Sequence, residues 1–300
     1  MFKPPEKLYP FESHWLDVEG VRMHYLDEGP RDAPIVLMVH GNPTWSFYYR
    51  NLVLVLRDRF RCIVPDHVGC GLSEKPGPDQ YPYTLKRRIS DLDSLMNHLK
   101  PTQPLHIIVH DWGGMIGFGW AAERPDQIAS MVIANTAAFP LPEEKKLPPA
   151  LWLVRNTKLG ALLVQGMNAF SGLASRVAFK KPVSAEVRKA YTGPYDSWDN
   201  RIATLRFVQD IPLNPDDPGY DIIKATESRL PEFADKPCLL AWGEKDFVFD
   251  LHFLNKWKRI LPDAKVLSYP DCGHYIFEDG GEPLTQAISD FLNNEDSPKH

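Results

Sequence analysis

Two periods of apolar residues run through this chain, and each change of period marks the edge of an element. Residues 15–18 and 22–26 flank Glu19-Gly20 and predict a short antiparallel hairpin. Residues 35–39 are a continuous apolar run, the pattern of a strand buried on both faces. The loop His40-Gly-Asn-Pro-Thr-Trp45 then feeds a helix through about Leu56, and 61–65 is the next strand. From Thr84, a favoured N-cap, Leu85, Ile89, Leu92, Leu95, Met96 and Leu99 keep helical spacing with charged residues between them. Residues 105–109 are apolar and β-branched over the length of a buried strand. A helix rich in small residues starts from Gly113 and closes at Arg124-Pro125, where proline cannot continue it. Strands are predicted again at 131–135, 238–242 and 265–269, with helices at 252–261 and 283–292.

This alternation of apolar strand and amphipathic helix predicts an α/β protein with a mostly parallel, eight-stranded sheet and helices on both faces. The rhythm breaks at Phe139-Pro-Leu-Pro142, and from there to about Pro218 only helical patches are found. Apolar faces at 151–154, 159–164, 177–179 and 202–208 are punctuated by Gly160, Gly166, Gly172 and Pro182. The expected organisation is a core of residues 1–139 and 216–300 carrying a helical cap of residues 140–215. Apolar runs separated by glycines predict a long apolar slot between cap and sheet. The last eight residues are expected to be disordered.

Composition narrows the class. An apolar fraction of 43% and a charged fraction of 24% over 300 residues are those of a globular protein. A net charge of −5 offers no basic footprint for nucleic acid, and neither terminus carries a signal-peptide core or a membrane span. Cys62, Cys70, Cys238 and Cys272 are scattered without metal-ligand spacing. Free thiols in the cytoplasm are expected, with no metal and no cofactor.

Four unusual sequences fall at strand ends, where an open parallel sheet binds its ligands. His40-Gly-Asn-Pro43 follows 35–39, Asp111-Trp112 follows 105–109, Gly243-Glu-Lys-Asp246 follows 238–242, and Asp271-Cys-Gly-His274 follows 265–269. Strand, tight turn, acid, turn and small-residue helix around Asp111 is a nucleophile-elbow arrangement, with Asp in the place of the usual Ser and Val109 in the place of the first Gly. Taken by itself, Asp111 could equally be an N-cap. With His274 and Asp246 behind it in the chain, a nucleophile–acid–histidine order emerges, in which Asp246 orients His274. Glu244, Asp250 and Glu278 are nearby acids, and Glu278 reads as a surface one.

An ionised carboxylate needs no base to attack. It suits displacement at a saturated or strained carbon, forming an ester of Asp111 that His274 would then hydrolyse through water where hydrolysis is the outcome. Backbone N–H groups of Asn42 and Trp112 are the expected oxyanion donors, and both side chains end in N–H groups able to hold a leaving anion. Gly69-Cys-Gly71 reads as a tight turn. Tyr191 and Tyr195 are either donors to a substrate oxygen or a packed pair.

His40-Gly-Asn-Pro43, Pro65-Asp-His-Val-Gly-Cys-Gly-Leu-Ser73 and His110-Asp-Trp-Gly-Gly114 resemble the haloalkane-dehalogenase-like group of the α/β-hydrolase superfamily, over nearly the whole chain. The resemblance implies the α/β-hydrolase fold, with Asp111 as nucleophile, His274 as base, Asp246 as acid, and Asn42 with Trp112 as the stabilising pair. Some members of that fold take the acid from the strand after the elbow unit, but here that strand ends Asn135-Thr-Ala-Ala. Epoxide hydrolases share His-Asp-Trp-Gly-Gly but usually lack Asn at the position of Asn42. In the cap and the chain leading into it, residues 135–142, 168–171, 190–201 and 207–213 are similar to the β-lactone decarboxylases of bacterial long-chain olefin biosynthesis. These turn a cis-β-lactone into a cis-alkene and carbon dioxide. That likeness implies a small apolar substrate and work within a cytoplasmic multi-enzyme assembly or a homo-oligomer. A haloalkane dehalogenase is the alternative, and a catalytically silent small-molecule receptor is the rival from another class.

Overall fold

The computed structural model describes residues 2–295. Strands β1 (His14–Val18), β2 (Val21–Glu28), β3 (Ile35–Val39), β4 (Arg61–Pro65), β5 (Leu105–Asp111), β6 (Ile128–Thr136), β7 (Cys238–Gly243) and β8 (Lys265–Tyr269) form one sheet. Its order is β1-β2-β4-β3-β5-β6-β7-β8. Only β2 runs against its neighbours β1 and β4; the ladders from β4 to β8 are parallel. The helices are α1 (Arg50–Leu56), α2 (Leu85–Leu99), α3 (Trp112–Ala121), α4 (Pro149–Asn156), α5 (Lys158–Met167), α6 (Ala169–Val177), α7 (Ala185–Thr192), α8 (Ile202–Gln209), α9 (Tyr220–Arg229), α10 (Leu251–Ile260), α11 (Ile276–Asp279) and α12 (Gly281–Glu295).

The continuous apolar runs are buried on both faces because successive side chains serve opposite cores. Leu37, Val39, Ile107, Val109 and Leu240 pack against α2, α3, α9 and α10, while Val36, Met38, Ile108 and Leu239 pack against α1 and α12. Thr84 caps α2 as expected, its hydroxyl accepting from Arg87 N at 3.3 Å. Between β6 and β7 the described residues hold no strand, and α4 to α8 follow one another over the carboxyl edge of the sheet.

Two expectations need correction. Helix α9 was not legible, because polar residues dominate it and only Ile223 and Thr226 are buried. Residues 293–295, part of the stretch expected to be disordered, belong to α12, which Ile288, Phe291 and Leu292 anchor to the core. Residues 296–300 lie outside the described residues.

Candidate active site

The crevice beyond the carboxyl ends of β3, β5, β7 and β8 collects the chemistry. Strand β5 ends in Asp111, whose φ of 52° and ψ of −127° lie in a sparsely populated region for a side-chain-bearing residue. Such a conformation costs roughly 1–3 kcal/mol and persists only where its surroundings enforce it. Here α3 starts at the next residue and the Thr136 hydroxyl donates to the Asp111 carbonyl. The turn also needs close approach: a Cβ on Gly113 would lie 1.9 Å from Val39 O.

Asp111 Oδ1 accepts from Asn42 N at 2.6 Å, and Trp112 N–H also donates to the carboxylate. Asp111 Oδ2 stands 3.5 Å from His274 Nε2, and His274 Nδ1 lies 2.8 Å from Asp246 Oδ2. The other oxygen of Asp246 accepts from Val248 N at 2.7 Å and Phe249 N at 3.1 Å. Asp111, His274 and Asp246 are all buried. Burial raises the Asp111 pKa, against the opposing pull of His274 and of the Asn42 and Trp112 amides. Burial disfavours the His274 imidazolium, yet Asp246, with Asp111 added, holds its pKa above the ordinary histidine value. Asp246 and Asp111 thus favour the protonated form of His274, while burial works against the ionised form of Asp111.

The loop carrying Asn42 is braced from behind. His40 Nδ1 donates to Gly41 O at 2.8 Å, and its Nε2 accepts from His67 N at 3.1 Å. Accepting there requires the neutral ring, and burial pushes the His40 pKa down to about 4. The Asn42 amide is not wholly free: Nδ2 donates to Thr204 O of α8 at 3.0 Å, which leaves its second N–H, while its Oδ1 is buried without a partner among the described residues. Trp112 packs on Phe207 with centroids 5.2 Å apart and lines the cavity beside Asp111.

Sequence reasoning missed two supports. His110 Nε2 donates to His274 O at 2.8 Å, so the residue before Asp111 holds the backbone of the histidine. Asn135, at the end of β6, bonds both ends of the loop that carries Asp246, through Gly243 and Phe249. The His-Asp pairing in the motif was a signal for the first; nothing in the sequence pointed to the second.

Glu278 is a correction. It is not a surface acid but a buried partner of Arg50, bonded to both of its terminal nitrogens, with the Arg50 Nη2 contact at 3.0 Å. Tyr191 donates to the same carboxylate at 2.5 Å, and Tyr195 OH reaches Thr44 O at 3.4 Å. Both tyrosines are buried, their hydroxyls meet protein partners, and neither lines the cavity.

The cavity holds about 390 Å³ between sheet and cap, within the range of small-molecule sites. Its wall is apolar, with Phe139, Leu147, Leu151, Val164, Ile211 and Phe249 among the residues that line it. Asn42, Asp111, Trp112 and His274 bring the polar groups to one end. Among the described residues no cluster of three or more His, Cys, Asp or Glu is placed to hold a metal ion.

Residues 34–281 match the family model of the α/β-hydrolase fold. The chain belongs to the α/β-hydrolase family. It is 52% identical to a cis-3-alkyl-4-alkyloxetan-2-one decarboxylase of Shewanella oneidensis, over 97% of this chain and 92% of that one. A protein of the same name from Xanthomonas campestris is 50% identical over 95% and 97%. Haloalkane dehalogenase 2 of Mycobacterium bovis is 31% identical over 96% and 97%. Among solved structures, an ancestral haloalkane dehalogenase superposes with a TM-score of 0.84 at 25% identity, covering 94% of this chain and 99% of that one. The haloalkane dehalogenase of Agrobacterium tumefaciens C58 does so with a TM-score of 0.84 at 21% identity over 97% and 100%, a likeness of fold alone. Within the α/β-hydrolase family the chain therefore shares the haloalkane-dehalogenase-like core.

Proposed function

We propose that this protein decarboxylates long-chain cis-β-lactones to cis-alkenes and carbon dioxide. Full-length identity of 52% and 50% to two cis-3-alkyl-4-alkyloxetan-2-one decarboxylases, against 31% to a haloalkane dehalogenase, carries the reading. An oxetan-2-one is a four-membered β-lactone, and an apolar cavity ending in one carboxylate suits two alkyl arms and a single reactive ring.

In this reading Asp111 is the nucleophile that opens the strained ring. Amides of Asn42 and Trp112, the second Asn42 side-chain N–H and the Trp112 indole N–H stabilise the oxygen that gains charge. His274, whose protonated form Asp246 favours, adds its support to that charge. The net reaction breaks the C4–O and C2–C3 bonds of the lactone and forms the C3–C4 double bond. It consumes no water and returns Asp111 as a carboxylate. Residues 140–215 act as the cap that closes the apolar slot. Four buried free thiols support a reducing compartment, the cytoplasm.

Haloalkane hydrolysis is the second reading, favoured by the Asn42 and Trp112 donors beside Asp111. The two separate by product: gas chromatography of alkene from a long-chain cis-β-lactone beside halide titration with 1-bromoalkanes. Alkene with slow or no halide release is expected. Rapid halide release with the lactone untouched overturns the proposal. One turnover in heavy-oxygen water gives a second check, because hydrolysis of an Asp111 ester leaves label in the Asp111 peptide and unlabelled Asp111 oxygen in the alcohol, whereas decarboxylation leaves Asp111 unlabelled.

A further inference from the structure

The helices that wall the cavity also turn apolar side chains to the outside. On α4, Leu151, Leu153 and Val154 face the cavity while Trp152 is 54% exposed. On α5, Leu163 and Val164 face the cavity, while Leu159, Leu162 and Met167 are 58%, 54% and 74% exposed. Leu159, Leu162 and Gly166 fall at i, i+3 and i+7, one outward stripe of the helix. Trp198, 47% exposed, continues it: its ring lies 3.5 Å from where a Cβ on Gly166 would sit. A surface helix ordinarily shows water its polar face. Helix α5 carries a single charged residue, Lys158, and is apolar both inward and outward.

The charge of the segment that carries this stripe differs from that of the rest of the chain. Residues 140–215 contain eleven Lys and Arg against six Asp and Glu, a net charge of +5 in a chain of −5. Lys146, Lys158, Lys180, Lys181 and Lys189 are exposed. Exposed apolar side chains grouped in this way mark an interaction site, and the net positive charge of the segment that carries them, despite the exposed Asp196 and Asp199 beside Trp198, favours a partner of negative charge.

We propose that the outer face of α4 and α5, with Trp198, docks on an anionic lipid surface. The contact is interfacial: apolar side chains enter the acyl boundary while lysines meet headgroups. No helix among the described residues is long and apolar enough to cross a membrane. A second copy of this chain would present the same positive cap and is disfavoured by repulsion. One layer of helix, roughly 10–12 Å thick, separates this face from the cavity. Lipid docking rests on the exposed stripe and its charge, not on which reaction the site performs.

The test is co-sedimentation of the full chain with vesicles of phosphatidylcholine alone and of phosphatidylcholine with phosphatidylglycerol, in the absence of substrate. Binding only to the phosphatidylglycerol vesicles, weakened by salt, is expected. The triple variant Trp152→Ser, Leu159→Ser, Leu162→Ser should bind at least about tenfold more weakly, given the apolar area each side chain withdraws. Its melting temperature and its turnover of a short-chain, water-soluble lactone should match wild type, since these residues lie outside the cavity and the reacting set. Absence of binding to phosphatidylglycerol vesicles, or equal binding by the variant, overturns the proposal. So does a wild-type dimer in sedimentation velocity that the same substitutions dissolve, which assigns the face to a second copy. Failure of the decarboxylase assay leaves the vesicle result standing.

Discussion

Asn135 and Gly243 hold each other through a reciprocal pair of hydrogen bonds: Gly243 N donates to Asn135 Oδ1 at 2.8 Å, and Asn135 Nδ2 donates to Gly243 O at 3.1 Å. The same Nδ2 reaches Phe249 O at 3.3 Å, so one side chain spans the loop from which Asp246 points at His274. The end of β6 therefore carries the brace of the acid, not an acid. Asn135→Ala should lower kcat/KM by about 10–100-fold, because small displacements of a positioned group are costly in rate. Steady-state kinetics beside a melting curve checks this. Wild-type kcat/KM in a folded variant would remove Asn135 from the positioning of Asp246.

Substitutions at Asp246 and Glu278 should separate turnover from stability. Asp246→Ala should cut turnover by roughly 10²–10⁴, by analogy with triads of other folds, while leaving a folded protein. Glu278→Ala strands the buried Arg50 guanidinium and should cost about 3–5 kcal/mol of stability, read from chemical denaturation. The fraction that stays folded should keep turnover near wild type. The reverse pattern would transfer the orienting role to Glu278.

Gly41 is confined by the nucleophile. A Cβ at this position would lie 2.0 Å from Asp111 Oδ1, inside the contact that Asn42 N makes with the same atom. Gly41→Ala should abolish turnover as thoroughly as Asp111→Asn, with mass spectrometry excluding deamidation in the latter. Activity within tenfold of wild type, itself an order-of-magnitude criterion of about 1.4 kcal/mol, would show that the loop moves without cost.

The pH dependence follows from the two shifted groups. Asp111 must be ionised to attack and its pKa is raised, so the acid limb of kcat/KM should lie above the ordinary aspartate value. If the imidazolium is the working form of His274, the rate falls as pH rises through its raised pKa. A rate that instead rises through that window identifies neutral His274 acting on water, the hydrolytic case. Stability carries the same sign. The His274 contribution is fully present below the unfolded histidine pKa and is lost as pH rises through the folded one. The burial cost of ionised Asp111 adds to that trend once pH passes the unfolded carboxylate value. Denaturant midpoints measured across pH should fall less steeply in His274→Gln and Asp111→Asn than in wild type.

What the sequence determined by itself was local or periodic. Strands at Ile35–Val39 and Arg61–Pro65 end where the apolar pattern ends, because burial on both faces writes itself into consecutive residues, and the Thr84-capped helix keeps its one-sided apolar period to Leu99. Asp111, Asp246 and His274 were legible because each sits at or beyond the carboxyl end of a strand, where the topology of a parallel sheet brings distant loops together. Tertiary structure alone decided what depends on a partner far away in the chain. Arg50 and Glu278 are separated by 228 positions and Asn135 and Gly243 by 108, and no local pattern distinguishes a paired, buried polar group from a solvated one. The same holds for the cap: its helices follow an ordinary apolar period, but which of their two apolar faces meets the cavity and which meets the outside depends on how α4 and α5 pack over the sheet.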